Sequence, residues 1–572
     1  MKHEGQSLAH TIKDVSIDVD FNPTLQEDDM KNSESFVPLK PYLHTKVLVI
    51  GCGPFLYSLA DVLLESGWLR FHILITESVP TDRERLKEWV EHARLTNPTA
   101  VIEELCLDSS GRTEWHKAIA PFHSILYISQ DAHIEELRYL NAACKEQQKL
   151  LLPAFCMQQA GLVGPLVHPD IETCWESAWR RLHQAALGST HHSSDFSFTV
   201  GIMLANVMVF EWLKAISGTT ESEAQHAFFL LNLNTLEGDW HSFVPHPLVT
   251  GLLTLPDLTD DEKEFEIPPE LLTEEEREPY GWFSYFSGLT SSTAGIFHTW
   301  EESDLVQLPL AQCRVQVADP LSDGPAKLLP DVICSGLTHE EARREAGLVG
   351  IEAYIMQLSS LHIPKLSSQQ NNQGNGIDIR PFVGAGAGET IVEGVCRGLH
   401  MCLTNTWTQL LTNRKPLIYQ VQLDNVKDEH CKYYLQILTL LQGVPTVGLG
   451  MELYGFPVVW VRTNGLWYGG VGLNKTLALK SVLQQALQFI TNTHLPPSGL
   501  GASSVILESQ QPAHLIFPSE PERTSSEILA TALQILKRSS KRLHVIDMCY
   551  EPFLKEGPVG VWGVLLREED SL

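Results

Sequence analysis

The sequence lacks paired cysteines. Its 11 cysteines occur singly, and no two of them are separated by only two residues. Neither a disulfide framework nor a paired-cysteine zinc site is therefore predicted. Isolated cysteines of this kind are typical of small core residues in a reducing compartment.

An excess of basic residues and a long hydrophobic run are also missing. The 41 basic and 70 acidic side chains give a formal net charge of -29, so the overall field would repel a nucleic-acid backbone. The N-terminus has no apolar segment of signal-peptide length, and the most apolar later stretch, residues 198–210, is too short to span a bilayer. We expect no nucleic-acid partner, no membrane partner and a cytoplasmic location.

The chain of 572 residues, 43% of them hydrophobic, is long enough for several domain-sized units. Residues 1–40 are polar and acidic, which predicts a disordered lead-in. Residues 257–279 form an acidic run broken by prolines, which predicts a solvated loop with a short helix. The low-complexity segment at 367–376 predicts a mobile surface loop.

The first half alternates between strand-like and helix-like segments. Strands are predicted at 46–50, 71–75, 99–105, 124–129, 228–236 and 242–244, and helices at 54–67, 81–93 and 198–217. Such alternation is typical of a parallel sheet with helices on both faces. The predicted fold class of this half is therefore a Rossmann-like α/β sheet.

A glycine turn follows the first strand. Gly51 and Gly53 would let the next helix point its first amides at a phosphate. The third glycine of a dinucleotide fingerprint would fall on Leu56, so a nicotinamide site is poorly supported. An acidic residue after the second strand, Glu77, is followed by Arg83 and Arg85, and this order suits a nucleoside triphosphate better.

The second half predicts an α+β domain. Long helices are expected at 340–356, 393–411 and 476–491, with strands at 416–423 and 457–462. Thr338 with Glu341, and Thr390 with Glu393, each fit a capping box at a helix start. This repeated pattern predicts an internal duplication.

A set of motifs in the first half resembles the ThiF-like adenylating fold over roughly residues 41–300. In chain order they are Ser129-Gln-Asp131, Arg138-Tyr-Leu-Asn141, Cys144, Val163-Gly-Pro165 and Cys174-Trp-Glu-Ser177. The resemblance implies that Asp131 would help to hold magnesium and that Arg83 or Arg85 would contact a triphosphate. We favour a structural interpretation of Gly51, Gly53, Glu77, Arg83 and Asp131, as a fold-shaping turn and surface ion pairs, over a vestigial nucleotide site.

Zinc-bearing relatives of this fold carry two CxxC pairs where this chain has Cys174-Trp-Glu-Ser177 and residues 246–251. Only one thiol of the four is present. We predict no metal site, because a tetrahedral zinc site cannot be built from one thiol.

Three helical segments of the second half resemble those of YcaO domains, which activate peptide amides with ATP. They lie at 335–354, 389–403 and 477–488. The resemblance implies glutamates one turn apart that face magnesium. In this chain the six positions aligned with those glutamates hold a single carboxylate, Glu352. The six are Val349, Glu352, Met401, Thr404, Gln485 and Gln488. We expect no ATP-driven chemistry here and interpret Glu341, Glu352 and Glu393 as capping and helix-surface charges.

The order of the two resemblances is similar to that of the thiazole-containing bacteriocin maturation proteins, ThiF-like accessory proteins with a degenerate YcaO-like half. The predicted domains are 41–305 and 306–572. The resemblance implies an auxiliary protein that binds the leader of a ribosomally made precursor peptide and presents it to a separate YcaO cyclodehydratase. Family members carry a winged-helix leader-binding domain ahead of the ThiF-like part, and here residues 1–40 suggest that it is truncated or supplied by another chain.

Two alternatives remain open. The first is an ATP-dependent adenylating enzyme that uses Gly51, Gly53, Arg83 and Asp131, with ATP and magnesium as cofactors. The second is a nicotinamide oxidoreductase. The resemblance also allows a homodimer, because ThiF-like folds are often dimers.

Overall fold

The computed structural model describes most of the chain. The described residues are 45–105, 112–131, 133–168, 174–188, 198–218, 223–251, 281–361, 382–412, 415–491, 500–502, 505–517 and 524–568. The predictions for residues 1–40, 257–279 and 367–376 fall outside these residues.

The first half is built around a sheet whose strands are β1 (Val47–Gly51), β2 (Arg70–Ile75), β3 (Val101–Leu105), β4 (Ser124–Ser129), β5 (Leu150–Met157), β6 (Ala160–Val163), β7 (Ala227–Asn232) and β8 (Gly238–Ser242). Its helices are α1 (Gly53–Glu65), α2 (Arg83–Thr96), α3 (Arg112–Ile119), α4 (Ile134–Glu146), α5 (Trp175–Arg181), α6 (Phe198–Ser217), α7 (Pro247–Thr250) and α8 (Trp282–Gly288). Short 3₁₀ turns lie at Gln184–Leu187 and Glu223–Gln225.

The strands of this sheet follow the order β3-β2-β1-β4-β5-β6-β7-β8. The first five are parallel to their neighbours, and β6, β7 and β8 are antiparallel. Val47 and Val49 of β1 pack into a core cluster with α1, α2 and α6, whereas Leu48 and Ile50 pack with α3, α4 and α5. Side chains alternate along a strand, so this double burial requires helices on both faces. The predicted Rossmann-like arrangement is confirmed.

The second half contains three further sheets. Its strands are β9 (Phe297–Glu301), β10 (Ala311–Val317), β11 (Val332–Gly336), β12 (Gly384–Gly388), β13 (Leu417–Val426), β14 (Thr446–Leu449), β15 (Val458–Thr463), β16 (Leu466–Val471), β17 (Leu500–Ala502), β18 (Ile506–Phe517), β19 (Lys541–Asp547) and β20 (Gly560–Glu568). Its helices are α9 (His339–Ser359), α10 (Ile391–Leu411), α11 (Glu429–Gln442), α12 (Lys475–Thr491), α13 (Ser525–Arg538) and α14 (Pro552–Glu556). The sheet orders are β11-β10-β9, β12-β20-β19 and β17-β16-β15-β14-β13-β18.

Helices α9 and α10 begin in the same way, each after a strand. The Thr338 hydroxyl accepts a hydrogen bond from the amide of Glu341, and the Thr390 hydroxyl accepts one from the amide of Glu393. The carboxylate of Glu341 also accepts a hydrogen bond from the amide of Leu337, and the carboxylate of Glu393 accepts one from the amide of Glu389. Each of these amides belongs to the residue just before the capping threonine. The capping predicted from the sequence therefore occurs twice, with each carboxylate satisfying an amide one residue earlier than in the standard box.

The prediction for the hairpin of β7 and β8 is wrong in its bounds. We predicted strands over 228–236 and 242–244, whereas β7 ends at Asn232 and β8 ends at Ser242. The chain turns at residues 233–236, where Leu236 has a φ of 60° and its amide donates to the carbonyl of Asn232. A leucine in this conformation is uncommon, so the apolar run looked like a continuous strand.

Helix α6 has 20 residues, so it is longer than the stretch 198–210 on which we based the expectation of no membrane span. By length and composition it could cross a bilayer, and it is the one such helix among the described residues. Its inner face packs against α1 and into the sheet core, and its residues Leu204, Met208 and Trp212 are buried. A core helix meets the same criteria of length and composition.

A buried polar cluster connects the two halves. The Arg181 guanidinium at the end of α5 donates from Nη2 to both carboxylate oxygens of Glu551, at 2.9 Å each, and from Nη1 to the Tyr354 hydroxyl at 2.7 Å. The side chains of Arg181 and Glu551 are 2% and 1% exposed. Carbonyl groups of Val244 and Pro245 accept two more hydrogen bonds from this guanidinium. The ion pair is thus fully enclosed and fully hydrogen-bonded.

Candidate functional site

The sheet of the first half has a topological switch point between β1 and β4. From β1 the chain continues to β2 and β3 on one side, and it then crosses to β4 and β5 on the other. Ligands of open α/β sheets bind at such a point, beyond the carboxyl ends of the strands. Gly51 lies at the end of β1, level with Ile128 of β4. Of the predicted residues, Gly51 lies at the end of β1, and Gly53 and Asp131 lie just beyond the ends of β1 and β4.

The glycine turn has the shape expected from the sequence. Gly53 has a φ of 59°, which favours glycine, and a Cβ on Gly51 would overlap the backbone carbonyl of Ile128. Helix α1 begins at Gly53, and Cys52 before it forms no side-chain cap. The amide of Gly53 donates to the Thr81 hydroxyl at 2.8 Å. Pro54 follows and has no amide hydrogen, so the start of α1 has fewer free donors than a phosphate site uses.

The segment between β2 and α2 lies directly on this turn. The amide of Thr76 donates to the carbonyl of Gly51 at 3.0 Å, and the sulfur of Cys52 lies 3.0 Å from the Ser78 hydroxyl oxygen. A Cβ on Gly53 would lie 3.0 Å from a methyl carbon of Val79. A phosphate bound at these amides would have to displace this segment. The described residues therefore do not fit a phosphate at the start of α1.

The charged residues of the predicted site do not converge on the turn. Glu77 is exposed. The Arg83 guanidinium donates to Glu104 of β3 at 2.7 Å, and its side chain is 58% exposed. Because β2 separates β3 from β1, this ion pair lies two strands away from the glycine turn. The guanidinium carbon of Arg85 lies 5.4 Å from the centre of the Tyr57 ring. The contacts of Arg83 and Arg85 therefore direct neither side chain at the switch point.

Asp131 is exposed just beyond the end of β4. Its backbone carbonyl accepts a hydrogen bond from the Ser129 hydroxyl at 2.6 Å, which holds the chain in a tight turn there. Tyr127, in β4, is fully buried. Burial raises the pKa of its hydroxyl, and the negative charge of the neighbouring Glu136 carboxylate raises it further. The sequence gives no signal for this role of Tyr127, because within Ser124–Ser129 a tyrosine is typical of a buried strand.

The positions aligned with the zinc ligands of the ThiF-like relatives come together in space. The Cys174 thiol lies 3.6 Å from the Ser177 hydroxyl oxygen, and the same hydroxyl accepts the amide of His246 at 3.2 Å. The His246 imidazole accepts the amide of Leu248. Burial, with the charges of Arg181 and Arg180, lowers the pKa of His246 to about 2. The described residues hold no group of three or more histidine, cysteine, aspartate or glutamate side chains placed to bind a metal ion.

Glu352 is a correction to the sequence interpretation. We predicted a helix-surface charge, but the Glu352 side chain is only 7% exposed. Its Oε1 accepts the amide of Ala387 at 3.0 Å and the Nε of Arg397 at 2.5 Å, and its Oε2 accepts Nη2 of Arg397 at 3.1 Å. Burial raises the pKa of Glu352, and the Arg397 charge opposes this rise. The carboxylate that the alignment retained therefore lies inside the domain.

Arg397 bridges two carboxylates of α9. Besides Glu352 it contacts Glu345, whose Oε2 accepts Nη1 at 2.8 Å. Both bonds cross from α10 to α9, with Arg397 21% and Glu345 40% exposed. A cation placed between these carboxylates would meet the guanidinium and be repelled. These residues therefore do not fit a magnesium ion, and the positive charge between the two carboxylates belongs to the chain itself.

A second arginine of α9 pairs with the start of α10. Arg344 lies 2.8 Å from Glu389 and 2.9 Å from Glu393. Glu393 therefore both caps α10 and balances Arg344, and Glu341 caps α9. The capping interpretation of these two glutamates is confirmed.

The aligned positions on α12 are also occupied by structural contacts. Gln488 donates from Nε2 to the Ser335 hydroxyl at 2.7 Å, and Gln485 donates to the Ser481 hydroxyl at 3.3 Å. Gln484 donates to the carbonyl of Ser335 at 2.6 Å. Neutral amides at these positions bind β11 and their own helix. They supply none of the anionic oxygens that a hard cation prefers.

The comparisons with known proteins bear on the fold. No protein-family model matches the chain, and no curated protein matches it. Among solved structures it is similar to a heterocyclase in complex with substrate and cofactor, with 12% identity and a TM-score of 0.53, covering 92% of this chain and 81% of that chain. It is also similar to the heterocyclase TruD, with 13% identity and a TM-score of 0.49, covering 92% of this chain and 79% of that chain.

A third similar structure is E. coli MccB with ATP, at 14% identity and a TM-score of 0.29, covering 35% of this chain and 64% of that chain. Identities this low show fold and nothing finer, and the fold assignment depends on the first heterocyclase. The predicted fold class, a Rossmann-like α/β sheet with helices on both faces followed by an α+β half, is confirmed by the sheet orders, and the likeness to that heterocyclase extends over both halves.

Proposed function

We propose that this chain is an auxiliary, non-catalytic protein in the cytoplasmic maturation of a ribosomally made thiazole- or oxazole-containing peptide. In this proposal it binds the leader of the precursor peptide and brings it to a separate YcaO cyclodehydratase, which forms the azoline rings. The heterocyclase-like fold supports the pathway. The contacts of the chain's own residues support the absence of catalysis.

The observation that carries the proposal is the position of Arg397. Its guanidinium binds Glu352, the one carboxylate at a position where the resemblance to YcaO domains would place a ligand of magnesium, and it also binds Glu345 on the same helix. Phosphoryl transfer depends on metal ions that neutralise the phosphate oxygens. A protein that fills this place with a buried ion pair retains the helices of the enzyme without the ligands for its reaction.

The first half supports the same conclusion. The amide of Gly53 is bonded to Thr81, and the segment from Thr76 to Val79 lies against the glycine turn. An adenylating enzyme needs this space for the nucleotide phosphates. A protein that presents a peptide needs surfaces and no phosphate site.

Reconstitution tests the proposal. The purified chain, the precursor peptide and the cyclodehydratase are mixed with ATP and magnesium, and azoline formation is followed as the loss of one water per ring by mass spectrometry. We expect ring formation to be faster with the chain than without it, and the chain alone to release neither AMP nor phosphate. Asp131→Ala should leave the stimulation unchanged, because Asp131 has no part in presentation.

Two results would contradict the proposal. Release of AMP or phosphate by the chain alone, abolished in Asp131→Ala, would instead establish the adenylating enzyme. Equal ring formation with and without the chain, at concentrations where the precursor peptide saturates the cyclodehydratase and again well below saturation, would remove the recruiting role.

A further inference from the structure

Strand β8 has an open edge. It is the last strand of the eight-stranded sheet in the order seen among the described residues. The amide of Asn232 donates to the carbonyl of Glu237 at 2.8 Å, so these two residues form a closely bonded pair. Bonded and non-bonded pairs alternate in an antiparallel ladder. Residues 239 and 241 therefore bond to β7, and Gly238, Trp240 and Ser242 direct their amide and carbonyl groups outward.

This outer edge is available for pairing. Within the described part of the chain, no backbone hydrogen bond beyond the ladder with β7 involves Gly238, Trp240 or Ser242. The strand is partly exposed along its whole length, and both Asp239 and Ser242 are exposed. A row of unpaired backbone groups is a template for an added strand, and extended peptides bind proteins in this way.

A cavity of about 280 Å³ lies beside β8. Asp239 and His241 lie opposite Leu230 and Phe228 of β7 in the ladder, so their side chains project from the same face of the sheet. The apolar residues lining the cavity are Ala160, Ala186, Leu187, Leu230 and Leu231. The polar residues lining it are Gln159, Asn232, Thr235, Glu237, Asp239 and His241. A cavity with this lining suits one long side chain with an apolar stem and a polar end.

The charges at this cavity favour a basic side chain. Among the described residues, neither Glu237 nor Asp239 forms an ion pair with a lysine or an arginine. Burial lowers the pKa of His241, so this imidazole is neutral at neutral pH and does not offset the two carboxylates. The net charge of -29 adds a long-range attraction for basic segments.

We propose that an extended peptide segment adds to the outer edge of β8 and inserts a lysine or arginine side chain into the cavity beside Glu237 and Asp239. Main-chain hydrogen bonds to Gly238, Trp240 and Ser242 hold the backbone, and the cavity selects the side chain. The identity of this segment as part of the precursor leader rests on the function proposed above. The site itself is defined by the edge and the cavity.

Binding is tested with synthetic peptides. The probe is a fluorescein-labelled octapeptide of alternating threonine and valine with one central lysine, and the matched probes replace that lysine with norleucine or glutamate. Fluorescence anisotropy should show the tightest binding for lysine and the weakest for glutamate. Hydrogen–deuterium exchange should show slower exchange across 238–242 when the lysine peptide is bound.

Variants separate the two components of the site. Asp239→Asn should weaken the lysine peptide by about tenfold, which is about 1.4 kcal/mol, and leave the norleucine peptide unchanged, because it removes the charge that strengthens the hydrogen bond to lysine. Ser242→Pro removes one outward amide and should weaken both peptides. Glu88→Gln, an exposed carboxylate on α2, is the charge-matched control and should change nothing. Thermal unfolding of each variant verifies that it folds.

Equal binding of the lysine and norleucine peptides, or unchanged exchange at 238–242, would overturn the inference. Its failure differs from failure of the proposed function. Binding at β8 without stimulation of ring formation would leave this site standing and remove the auxiliary role. Conversely, if Asp239→Asn and Ser242→Pro stimulate ring formation as strongly as the unmodified chain, the auxiliary role stands and the site at β8 is not the one that binds the leader.

Discussion

Arg397 shows at the scale of single residues how the chain's own positive charge balances two carboxylates of α9. The guanidinium contacts Glu345 and Glu352, and one of these, Glu352, is enclosed. The alignment of helix starts identified Glu352 as the surviving carboxylate. It could not identify the partner, which is 45 residues away in the sequence. Burial of the pair also changed the interpretation of Glu352 from a surface charge to a core charge.

Removing this guanidinium should destabilise the second half strongly. Arg397→Met leaves Glu352 buried without its partner, and breaking a buried ion pair costs about 3–5 kcal/mol. Urea unfolding followed by circular dichroism should show the loss. The double variant Glu352→Gln with Arg397→Met should recover most of it, because a neutral glutamine needs no compensating charge and keeps an acceptor for the amide of Ala387.

The matched control is Arg83→Met. Its ion pair with Glu104 has side chains that are 58% and 30% exposed, so we expect a change within about 1 kcal/mol. If Arg397→Met were as mild as this control, the enclosed pair would not stabilise the domain.

At the scale of elements, local sequence patterns predicted eight of the 20 described strands and six of the 14 described helices. The strand Ser124–Ser129 and the helix Phe198–Ser217 have the predicted bounds, and the capped starts of α9 and α10 were recognised from threonine and glutamate spacing. These signals lie within a few residues of one another. The β7–β8 hairpin was placed wrongly because its turn contains Leu236 in a left-handed conformation, which apolar periodicity does not reveal.

The close contact between β12 and α10 has a direct test. A Cβ on Gly386 would overlap the backbone carbonyl oxygen of Gly394, which cannot move without shifting the helix. Gly386→Ala should therefore destabilise the second half by about 1–3 kcal/mol or more. A shift of the urea midpoint would measure this.

Gly288→Ala is the control for this change, because a Cβ there meets nothing within 4 Å. We expect it to leave the midpoint nearly unchanged. A neutral result for Gly386→Ala would mean that strand and helix are less tightly packed than described.

At the scale of the whole molecule, the two halves are joined by buried polar contacts. Arg181 of the first half is enclosed with Glu551 and Tyr354 of the second. In addition, β9 begins before residue 305 and pairs with β10 beyond it, so a sheet crosses the predicted boundary between 41–305 and 306–572. That division into domains remains a prediction. The contacts indicate that the halves depend on each other for stability.

Removing Arg181 should therefore affect both halves. Arg181→Met leaves the Glu551 carboxylate buried without its positive partner, with the Tyr354 hydroxyl still donating to it, and it leaves two carbonyl groups without their donor, at a cost of about 3–5 kcal/mol. Scanning calorimetry should show a lower unfolding temperature, and unfolding should separate into two transitions as the coupling is lost.

Arg180→Met is the neighbouring control. Its partner Asp323 is 73% exposed, so water replaces that contact, and its second partner Glu176 keeps its ion pair with Arg138; we therefore expect a small shift without separation. Equal behaviour of the two variants would argue against coupling through Arg181.

The sequence by itself determined the alternation of strands and helices, the glycine turn, the capped helix starts and the loss of most carboxylates at the aligned positions. Each of these depends on residues close together in the chain, where backbone geometry and side-chain type are enough. Only the tertiary structure decided that Arg397 forms an ion pair with Glu352 and that the Thr81 hydroxyl accepts a hydrogen bond from the amide of Gly53. It also decided that Arg181 pairs with Glu551, which is 370 residues away in the sequence. Such pairings depend on how distant segments pack, because burial determines which charges must find a partner.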